Sequence, residues 1–163
     1  MSLRSSYAFT GVVHDAVVHF KFRGLRAAGN EIADLLAPII ETQELPIDVL
    51  VPVPLHPSRQ KERGYNQTEV LGRLLSERTS IEVAPLALRR IRPTPPQAGV
   101  ADRAQRVLNV AGAFTAEASV VSGKRVLLLD DVCTTGATLN ECARELPAAG
   151  AASVSGLTLA REL

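Results

Sequence analysis

The chain has 163 residues, the usual length of one domain, so we expect a single domain over residues 1–163. Hydrophobic residues make up 46% and charged residues 21%, a composition that excludes a disordered protein. With 18 Lys and Arg against 17 Asp and Glu, the net charge of +1 excludes a general electrostatic attraction to nucleic acid or membranes.

The charge is nevertheless distributed unevenly along the chain. Residues 57–110 contain ten basic and five acidic side chains, whereas the rest contains eight basic and twelve acidic, giving local charges of +5 and −4. Fifteen of the 18 basic residues are Arg, whose guanidinium group pairs well with phosphate. A basic middle between acidic flanks predicts an anionic ligand that is bound locally.

Cysteine usage and hydropathy predict a cytoplasmic protein. Cys133 and Cys142 are the only cysteines, and their spacing fits neither a disulfide scaffold nor a zinc ribbon, so we infer a reducing compartment. No apolar run reaches the ~20 residues that span a bilayer, and no signal sequence is evident, so we expect no membrane association.

Two helices and a strand are predicted in the first third of the chain. Val13, Val17 and Phe20 recur at helical spacing, and a second apolar pattern runs from Leu25 to Ile40. A β-branched, apolar stretch within 45–54 then predicts a strand of about five residues, which ends at its prolines because proline cannot donate to a sheet.

The middle of the chain predicts a helix and an irregular segment. Within 57–79 an amphipathic helix should follow a basic loop, since one apolar stripe comprises Val70, Leu71, Leu74 and Leu75. Residues 89–100 hold three prolines and three arginines, so this segment cannot form a long helix and we interpret it as mobile.

The second half predicts a strand, a helix and a further strand. The apolar run within Lys124–Asp130 indicates a strand buried on both faces, and therefore a parallel sheet. Thr138 and Glu141 fit a capping box at the start of a helix, and Pro147 should end or kink it. A last strand covers roughly 153–159. The alternation predicts an α/β fold with helices on both faces of a mostly parallel sheet.

The segment Val126–Thr138 carries the clearest chemical signal. A buried strand ends in Asp130 and Asp131, and the chain then turns through two threonines and Gly136 into a helix, at the sheet edge where open α/β folds bind ligands. The backbone amides of Thr135–Thr138 and the helix dipole, worth ~0.3–1 kcal/mol, favour an anion, and Gly136 permits close approach. This segment therefore predicts a phosphate site.

The two acids need partners of their own, because adjacent carboxylates repel each other and a phosphate. Sugar hydroxyls or a divalent cation would compensate, and neighbours on a strand point to opposite faces, so Asp130 and Asp131 need not share one task. A phosphorylated ribose fits the segment best. If both acids were turned into the interior and engaged by neighbouring side chains, with no open recess beside the threonines, this interpretation would fail.

These thirteen residues resemble the phosphoribosyl pyrophosphate signature of type I phosphoribosyltransferases, in four apolar residues, two acids and Thr-Thr-Gly-Ala-Thr. The wider chain, from about Tyr7 to Leu159, is similar to the ComF family. Two further blocks carry that similarity: Val51–His56 with Arg59 and Arg63–Gln67, and Gln97–Arg106 with Asn109 and Phe114.

The resemblance implies a type I phosphoribosyltransferase fold, with a flexible hood over about residues 89–113, and phosphoribosyl transfer in nucleotide metabolism. It implies that Asp130 and Asp131 are catalytic, bind the ribose hydroxyls and assist Mg²⁺. The remaining implied contacts are Thr134, Thr135, Gly136, Ala137 and Thr138 to the 5′-phosphate, and Pro54, Leu55, Arg59 and Arg63 to the pyrophosphate.

The sequence departs from the resemblance in two places. ComF members usually begin with a Cys-rich zinc ribbon, and no residues before Cys133 fit one, which weakens the expectation of nucleic-acid binding. Purine-salvage members carry an Asp where this chain has Thr134, so purine salvage is disfavoured. The acceptor of the phosphoribosyl group is left unassigned, and homodimer assembly is left open.

Several residues have a second interpretation. Arg59, Lys61 and Arg63 could form a solvated basic face, and Arg89, Arg90 and Arg92 are either surface residues or part of a lid. Cys133 lies beside a helix N-terminus, which would favour a nucleophile, but no His is near in sequence and we expect it to pack. The role of His56 is left undecided.

Two functions of other classes compete with phosphoribosyl transfer. One is a non-catalytic protein of competence or DNA uptake that binds nucleotide or single-stranded DNA, for which the +5 middle argues. The other is a regulator that senses an effector.

Overall fold

The computed structural model describes residues 2–8, 10, 26–42, 46–94 and 103–161. The strands in this part of the chain are β1 Ser2–Ala8, β2 Val49–Pro52, β3 Glu82–Val83, β4 Leu88–Arg90, β5 Phe114–Ala116, β6 Arg125–Cys133 and β7 Ser153–Arg161. The helices are α1 Arg26–Glu41, α2 Pro57–Arg63, α3 Gln67–Thr79, α4 Arg103–Val110, α5 Ala118–Val121 and α6 Ala137–Ala148. The helix predicted over Val13–Phe20 and residues 95–102 of the predicted hood lie outside the described residues.

The central sheet has the strand order β1-β7-β6-β2-β3, and every pairing in it is parallel. The parallel sheet predicted from the buried apolar run of β6 is therefore confirmed, as is the α/β fold class. Strands β4 and β5 form a separate antiparallel pair, at the two ends of the predicted hood. Arg89 and Arg90 thus belong to a strand, which corrects the expectation that the whole segment 89–100 is irregular.

Side chains alternate between the two faces of the sheet, and each face covers its own hydrophobic cluster. On β6, Val126 and Leu128 pack with α6 and with residues of β4 and β5. Leu127 and Leu129 pack on the opposite face, against α1 and α3. The apolar stripe predicted for 57–79 provides that contact, since Leu71, Leu74 and Leu75 are buried. Helices therefore cover both faces, as predicted.

The predicted basic loop after β2 is instead the helix α2. Pro57 occupies its first turn, where a missing N–H costs nothing. His56 caps the helix, with its Nδ1 accepting from Ser58 N at 3.3 Å, and Gly64 ends it in the left-handed region at φ +85. The proline at its start and the glycine at its end define a helix here although the segment has only seven residues.

The start and the end of α6 also differ from the prediction. The helix begins at Ala137 after Gly136, so the predicted capping box is wrong, and the Glu141 carboxylate instead accepts from the backbone N–H of Gly112 at 2.6 Å. Pro147 lies inside the helix, which continues to Ala148. A proline in the last turn disrupts little, because few residues of the helix follow it.

The strand β6 continues three residues beyond Asp130, so both acids are part of the sheet rather than of the loop after it. The strand predicted over 153–159 is observed as Ser153–Arg161. Among the described residues, no helix has the length and apolar character needed to span a membrane.

Candidate functional site

The carboxyl end of β2 lies beside the part of β6 that directly precedes the two acids. Pro52 is paired with Leu129, and the backbone N–H of Val53 donates to the Leu129 carbonyl at 2.9 Å. Pro54 and Leu55, both half-buried, follow directly after β2. The fold therefore brings the segment predicted to face pyrophosphate and the strand-end acids to the same edge.

The two acids diverge, as alternation along a strand requires. Asp131 lies on the α3 face and is only 6% exposed. Its Oδ2 accepts from Gln67 Nε2 at 2.9 Å and its Oδ1 from Val132 N at 2.7 Å. Asp131 is thus turned into the interior and held there by a neighbouring side chain.

Asp130 lies on the other face and is half-buried. Its Oδ1 accepts from the backbone N–H of Asp131 at 2.9 Å. Alternation along β6 puts it on the face of Val126 and Leu128, which pack with α6, β4 and β5. The sugar-phosphate interpretation requires that the two acids are not both turned inwards. Asp131 is turned inwards, whereas Asp130 is half-buried on the other face, so the interpretation is not rejected.

The segment between β6 and α6 has the shape expected of a phosphate loop. Thr134, Thr135, Gly136 and Thr138 are half-buried, and Ala137 is buried beneath them. Gly136 adopts φ +75, a conformation that favours glycine. The first helical bond runs from Asn140 N to the Gly136 carbonyl at 2.8 Å, so the amides of Ala137, Thr138 and Leu139 precede it. The Ala137 amide donates to Thr135 Oγ1 at 3.4 Å.

The helix α2 directs two of its three predicted cations inwards. Arg59 is half-buried and donates from Nη2 to the Thr94 carbonyl at 3.4 Å. Arg63 is half-buried and donates from Nη1 to Gln67 Oε1 at 2.6 Å. Lys61 is exposed. The solvated-face interpretation thus holds for Lys61 alone.

The first residues of α3 attach this helix to two strands. Asn66 caps it through Thr68 N, and both Asn66 Nδ2 and Thr68 Oγ1 donate to the Val53 carbonyl, at 3.1 and 2.7 Å. Gln67 contacts Asp131 on β6 in the same way. Sequence reasoning missed Gln67 as a site residue. The sequence feature that could have identified it is its position, as a polar residue in the first turn of α3, four positions after Arg63.

Arg90, which the sequence left as either a surface residue or part of a lid, lies at the edge of the site. Its guanidinium lies 5.2 Å from the centre of the Phe114 ring and donates to Thr94 Oγ1. Its Nε is buried and has no hydrogen-bond partner in the described part of the chain. Burial, followed by the charge of Arg59, lowers the pKa of Arg90. Two arginines, Arg59 and Arg90, therefore converge on Thr94.

The neighbouring arginines behave differently from Arg90. Arg89 has a side chain 63% exposed and lies 4.0 Å from the Glu117 carboxylate. Arg92 is exposed and donates to the Ala111 carbonyl at 2.6 Å. The structure thus assigns Arg89 and Arg92 to the surface and Arg90 to the site edge.

Both cysteines are buried, and this environment favours packing over nucleophilic chemistry. Burial is the main cause that raises the pKa of Cys133, which belongs to the cluster on the α6 face. Burial also raises the pKa of Cys142, a residue of α6 whose side chain is fully buried. A protonated, inaccessible thiol is a poor nucleophile.

A parallel α/β fold with acids near the end of one strand and a glycine-containing turn into the next helix is typical of proteins that bind nucleotides or sugar phosphates. The model of a family described as "Phosphoribosyl transferase domain" matches residues 25–162. The chain therefore belongs to the phosphoribosyltransferase domain family.

The similar proteins agree with the predicted resemblance to the ComF family. The chain is 33% identical, over 97% of its length, to "Competence protein ComFC" of Bacillus subtilis, of which it spans 63%. It is 37% identical, over 71% of its length, to "DNA utilization protein YhgH" of Escherichia coli O157:H7, of which it spans 50%. The chain thus covers between half and two thirds of these relatives.

A solved structure supports the fold. The glutamine phosphoribosylpyrophosphate amidotransferase of B. subtilis, complexed with ADP and GMP, superposes with a TM-score of 0.58 at 20% identity. The similarity covers 87% of this chain and 30% of that chain. At this identity the match concerns the fold.

Proposed function

We propose that the chain binds phosphoribosyl pyrophosphate together with Mg²⁺ and transfers the phosphoribosyl group to an acceptor. The observation that carries the proposal is a half-buried Asp130 near the end of β6, followed after three intervening residues by the Thr134–Thr138 turn at the start of α6. A carboxylate accepts hydrogen bonds from ribose hydroxyls, and the helix-end amides bind a phosphate. One ligand that presents both groups is a ribose 5-phosphate.

The arginines supply the second half of the proposed ligand site. Arg59 and Arg90 approach the same residue, Thr94, although their like charges repel. An anion bound between them would offset that repulsion and give the buried Nε of Arg90 a partner. A pyrophosphate group attached to the sugar would meet both arginines.

Mg²⁺ fits this site only together with its ligand. Among the described residues, no three His, Cys, Asp or Glu side chains gather into a metal site. Mg²⁺ commonly binds one or two carboxylates and completes its coordination shell with water and phosphate oxygens. Asp130 can supply one such carboxylate. When bound, it would neutralise negative charge on the departing pyrophosphate. Asp131 fits this role less well, since both of its oxygens accept from protein N–H groups.

The proposed reaction breaks the bond between the anomeric carbon and the pyrophosphate oxygen, and the acceptor forms a new bond to that carbon. The departing pyrophosphate retains the electron pair, and the sugar carries positive charge in the transition state, as in glycoside chemistry. Asp130 would hold the ribose through its hydroxyls, the amides at Thr134–Thr138 would fix the phosphate, and Arg59 and Arg90 would stabilise the leaving group.

Titration calorimetry with phosphoribosyl pyrophosphate and Mg²⁺ tests the proposal. We expect binding by the unmodified protein and about tenfold or greater weakening by Asp130→Asn, because a hydrogen bond to a charged group contributes about 1.5–3 kcal/mol. Asp34→Asn is the matched control, since Asp34 is an exposed acid that pairs with Arg78. Absence of binding at millimolar ligand, or equal affinities for all three proteins, would contradict the proposal. Release of pyrophosphate with a panel of bases would then identify the acceptor.

A second candidate function is the binding of single-stranded DNA without turnover. The names of the relatives, a competence protein and a DNA utilization protein, favour it. The basic side chains at 57–110 would supply the phosphate contacts. The two candidates differ in the salt dependence that they predict.

A further inference from the structure

The arginine side and the acid side of the candidate site are joined by a continuous chain of hydrogen bonds. Arg63 Nη1 donates to Gln67 Oε1 at 2.6 Å, and Gln67 Nε2 donates to Asp131 Oδ2 at 2.9 Å. The backbone N–H of Asp131 in turn donates to Asp130 Oδ1 at 2.9 Å. Gln67 is the side chain in the middle of this chain.

The chemistry of the amide suits this position. Arg63 can only donate, and an ionised Asp131 can only accept, so the residue between them must accept at one atom and donate at another. The side-chain amide of glutamine does both from one planar group. A carboxylate there would repel Asp131, and an ammonium would repel Arg63.

The hydrogen bonds of the Gln67 amide are buried, so their loss costs more free energy than it would at the surface. Gln67 is 5% exposed and Asp131 is 6% exposed, so loss of the amide would leave a buried carboxylate with one partner fewer. The backbone at Gln67 is also fixed, because Asn66 and Thr68 on either side bond to the Val53 carbonyl. Gln67 therefore has little freedom to adopt another position.

We propose that Gln67 is a positioning residue that holds Arg63 and the strand-end acids at a fixed separation, with Asp131 as its anchor and Asp130 as the acid that faces the ligand. This inference rests on the proposed function. It assigns different tasks to the two adjacent acids and gives Gln67 a role in ligand binding without contact to the ligand.

The test measures the two halves of the ligand separately. Inorganic pyrophosphate with Mg²⁺ probes the arginine side, and ribose 5-phosphate probes the acid and phosphate-loop side. We expect Gln67→Met to weaken both, by on the order of tenfold, since it removes two hydrogen bonds to charged groups. Gln105→Met is the matched control, because Gln105 is an exposed residue of α4 whose amide donates to Asn109 Oδ1.

A paired exchange distinguishes positioning from general stability. Gln67→Glu alone places two carboxylates together and should weaken both probes most. Combined with Asp131→Asn, it restores both bonds, because the new carboxylate still accepts from Arg63 and now also accepts from the new amide, so that only the bond between positions 67 and 131 is reversed. We expect the double variant to bind both probes within a few-fold of the unmodified protein.

Each other outcome has a defined meaning. If Gln67→Met lowers the melting temperature but leaves both affinities unchanged, the inference is wrong. If the double variant recovers pyrophosphate binding but not ribose 5-phosphate binding, Asp131 contacts the ligand itself and its assignment as an anchor is wrong. An unmodified protein that binds neither probe nor phosphoribosyl pyrophosphate overturns the proposed function and the inference with it.

Discussion

At the scale of single residues, environment decides which of several like side chains belong to the site. Arg89, Arg90 and Arg92 lie within four positions of each other, yet in the described part of the chain only Arg90 is packed over an aromatic ring with a buried Nε that has no hydrogen-bond partner there. Withdrawing a charge from water is unfavourable unless it is paired. A residue kept in such a position is a candidate for a role in binding.

Replacement of Arg90 should therefore separate stability from binding. Arg90→Met keeps an unbranched apolar side chain against Phe114, removes the hydrogen bond to Thr94 and removes a desolvated charge that Arg59 repels. We expect an unchanged or higher free energy of unfolding in urea, because apolar replacement of a buried charge is often neutral or stabilising. We also expect about tenfold weaker binding of pyrophosphate by calorimetry.

The same substitution at Arg92 provides the comparison. Arg92 donates to the carbonyls of Asn109 and Ala111, so Arg92→Met should lower stability and leave pyrophosphate affinity nearly unchanged. Lower stability of Arg90→Met with unaltered affinity would instead mean that Arg90 is structural.

At the scale of helices and strands, a few polar contacts fix the elements that carry the site. Asn66 and Thr68 attach α3 to β2, and a close approach at Gly72 allows α3 to lie against the sheet. A Cβ at Gly72 would lie 2.9 Å from Val83 Cγ2 and 3.5 Å from Leu129 Cδ1. At the opposite end of the sheet, Asp48 and Arg125 join the starts of β2 and β6.

The Asp48 contact predicts a pH dependence of stability. The Asp48 carboxylate accepts from Arg125 N and Nε, both at 2.8 Å, and the side-chain bond is the larger cause that lowers its pKa from 3.8 to about 2. Because the pKa is lower in the folded state, the stabilisation is present above pH 3.8 and is lost as the pH falls through about 2.

Thermal unfolding at several pH values checks this prediction. Asp48→Asn should be less stable than the unmodified protein near neutral pH, and the difference should shrink between about pH 4 and pH 2. Arg125→Met should show the same window, and the double variant should show no further pH-dependent loss. A difference that does not change with pH would contradict the assignment.

At the scale of the whole molecule, near neutrality conceals a local excess of positive charge. The net charge of +1 combines an excess at 57–110 with a deficit elsewhere. Part of that excess is directed into the candidate site through Arg59, Arg63 and Arg90. Other cations, such as Lys61 and Arg89, face solvent.

The exposed cations give the test of DNA binding. If the chain binds single-stranded DNA, affinity for an oligonucleotide should fall steeply with salt, and Arg89→Glu should reduce the slope by about 0.7 for each phosphate that the protein no longer neutralises. Arg144→Glu is the matched control, since its side chain is 64% exposed, against 63% for Arg89, and lies outside the basic segment. Fluorescence anisotropy across a salt series measures both. Binding that is absent or insensitive to salt would eliminate this candidate.

The sequence by itself determined the fold class and the position of the candidate site. The strand, acids, threonine turn and helix within Val126–Thr138 are contiguous, so local pattern and hydrophobic periodicity suffice to predict them. The prediction missed the helix α2 and misplaced the start of α6. The residues that end these helices, His56, Gly64 and Gly136, are also common in loops, so in a short segment they do not distinguish a helix from a loop.

Only the tertiary structure decided how the acids and arginines are used. The bond between Gln67 and Asp131 joins residues 64 positions apart, and the contact of Arg59 with Thr94 joins residues 35 apart. No local periodicity encodes which distant side chain will occupy a given space, since that depends on how α2, α3 and β4 pack at the sheet edge. The pleat of β6 then sends Asp131 towards α3 and Asp130 towards the opposite face.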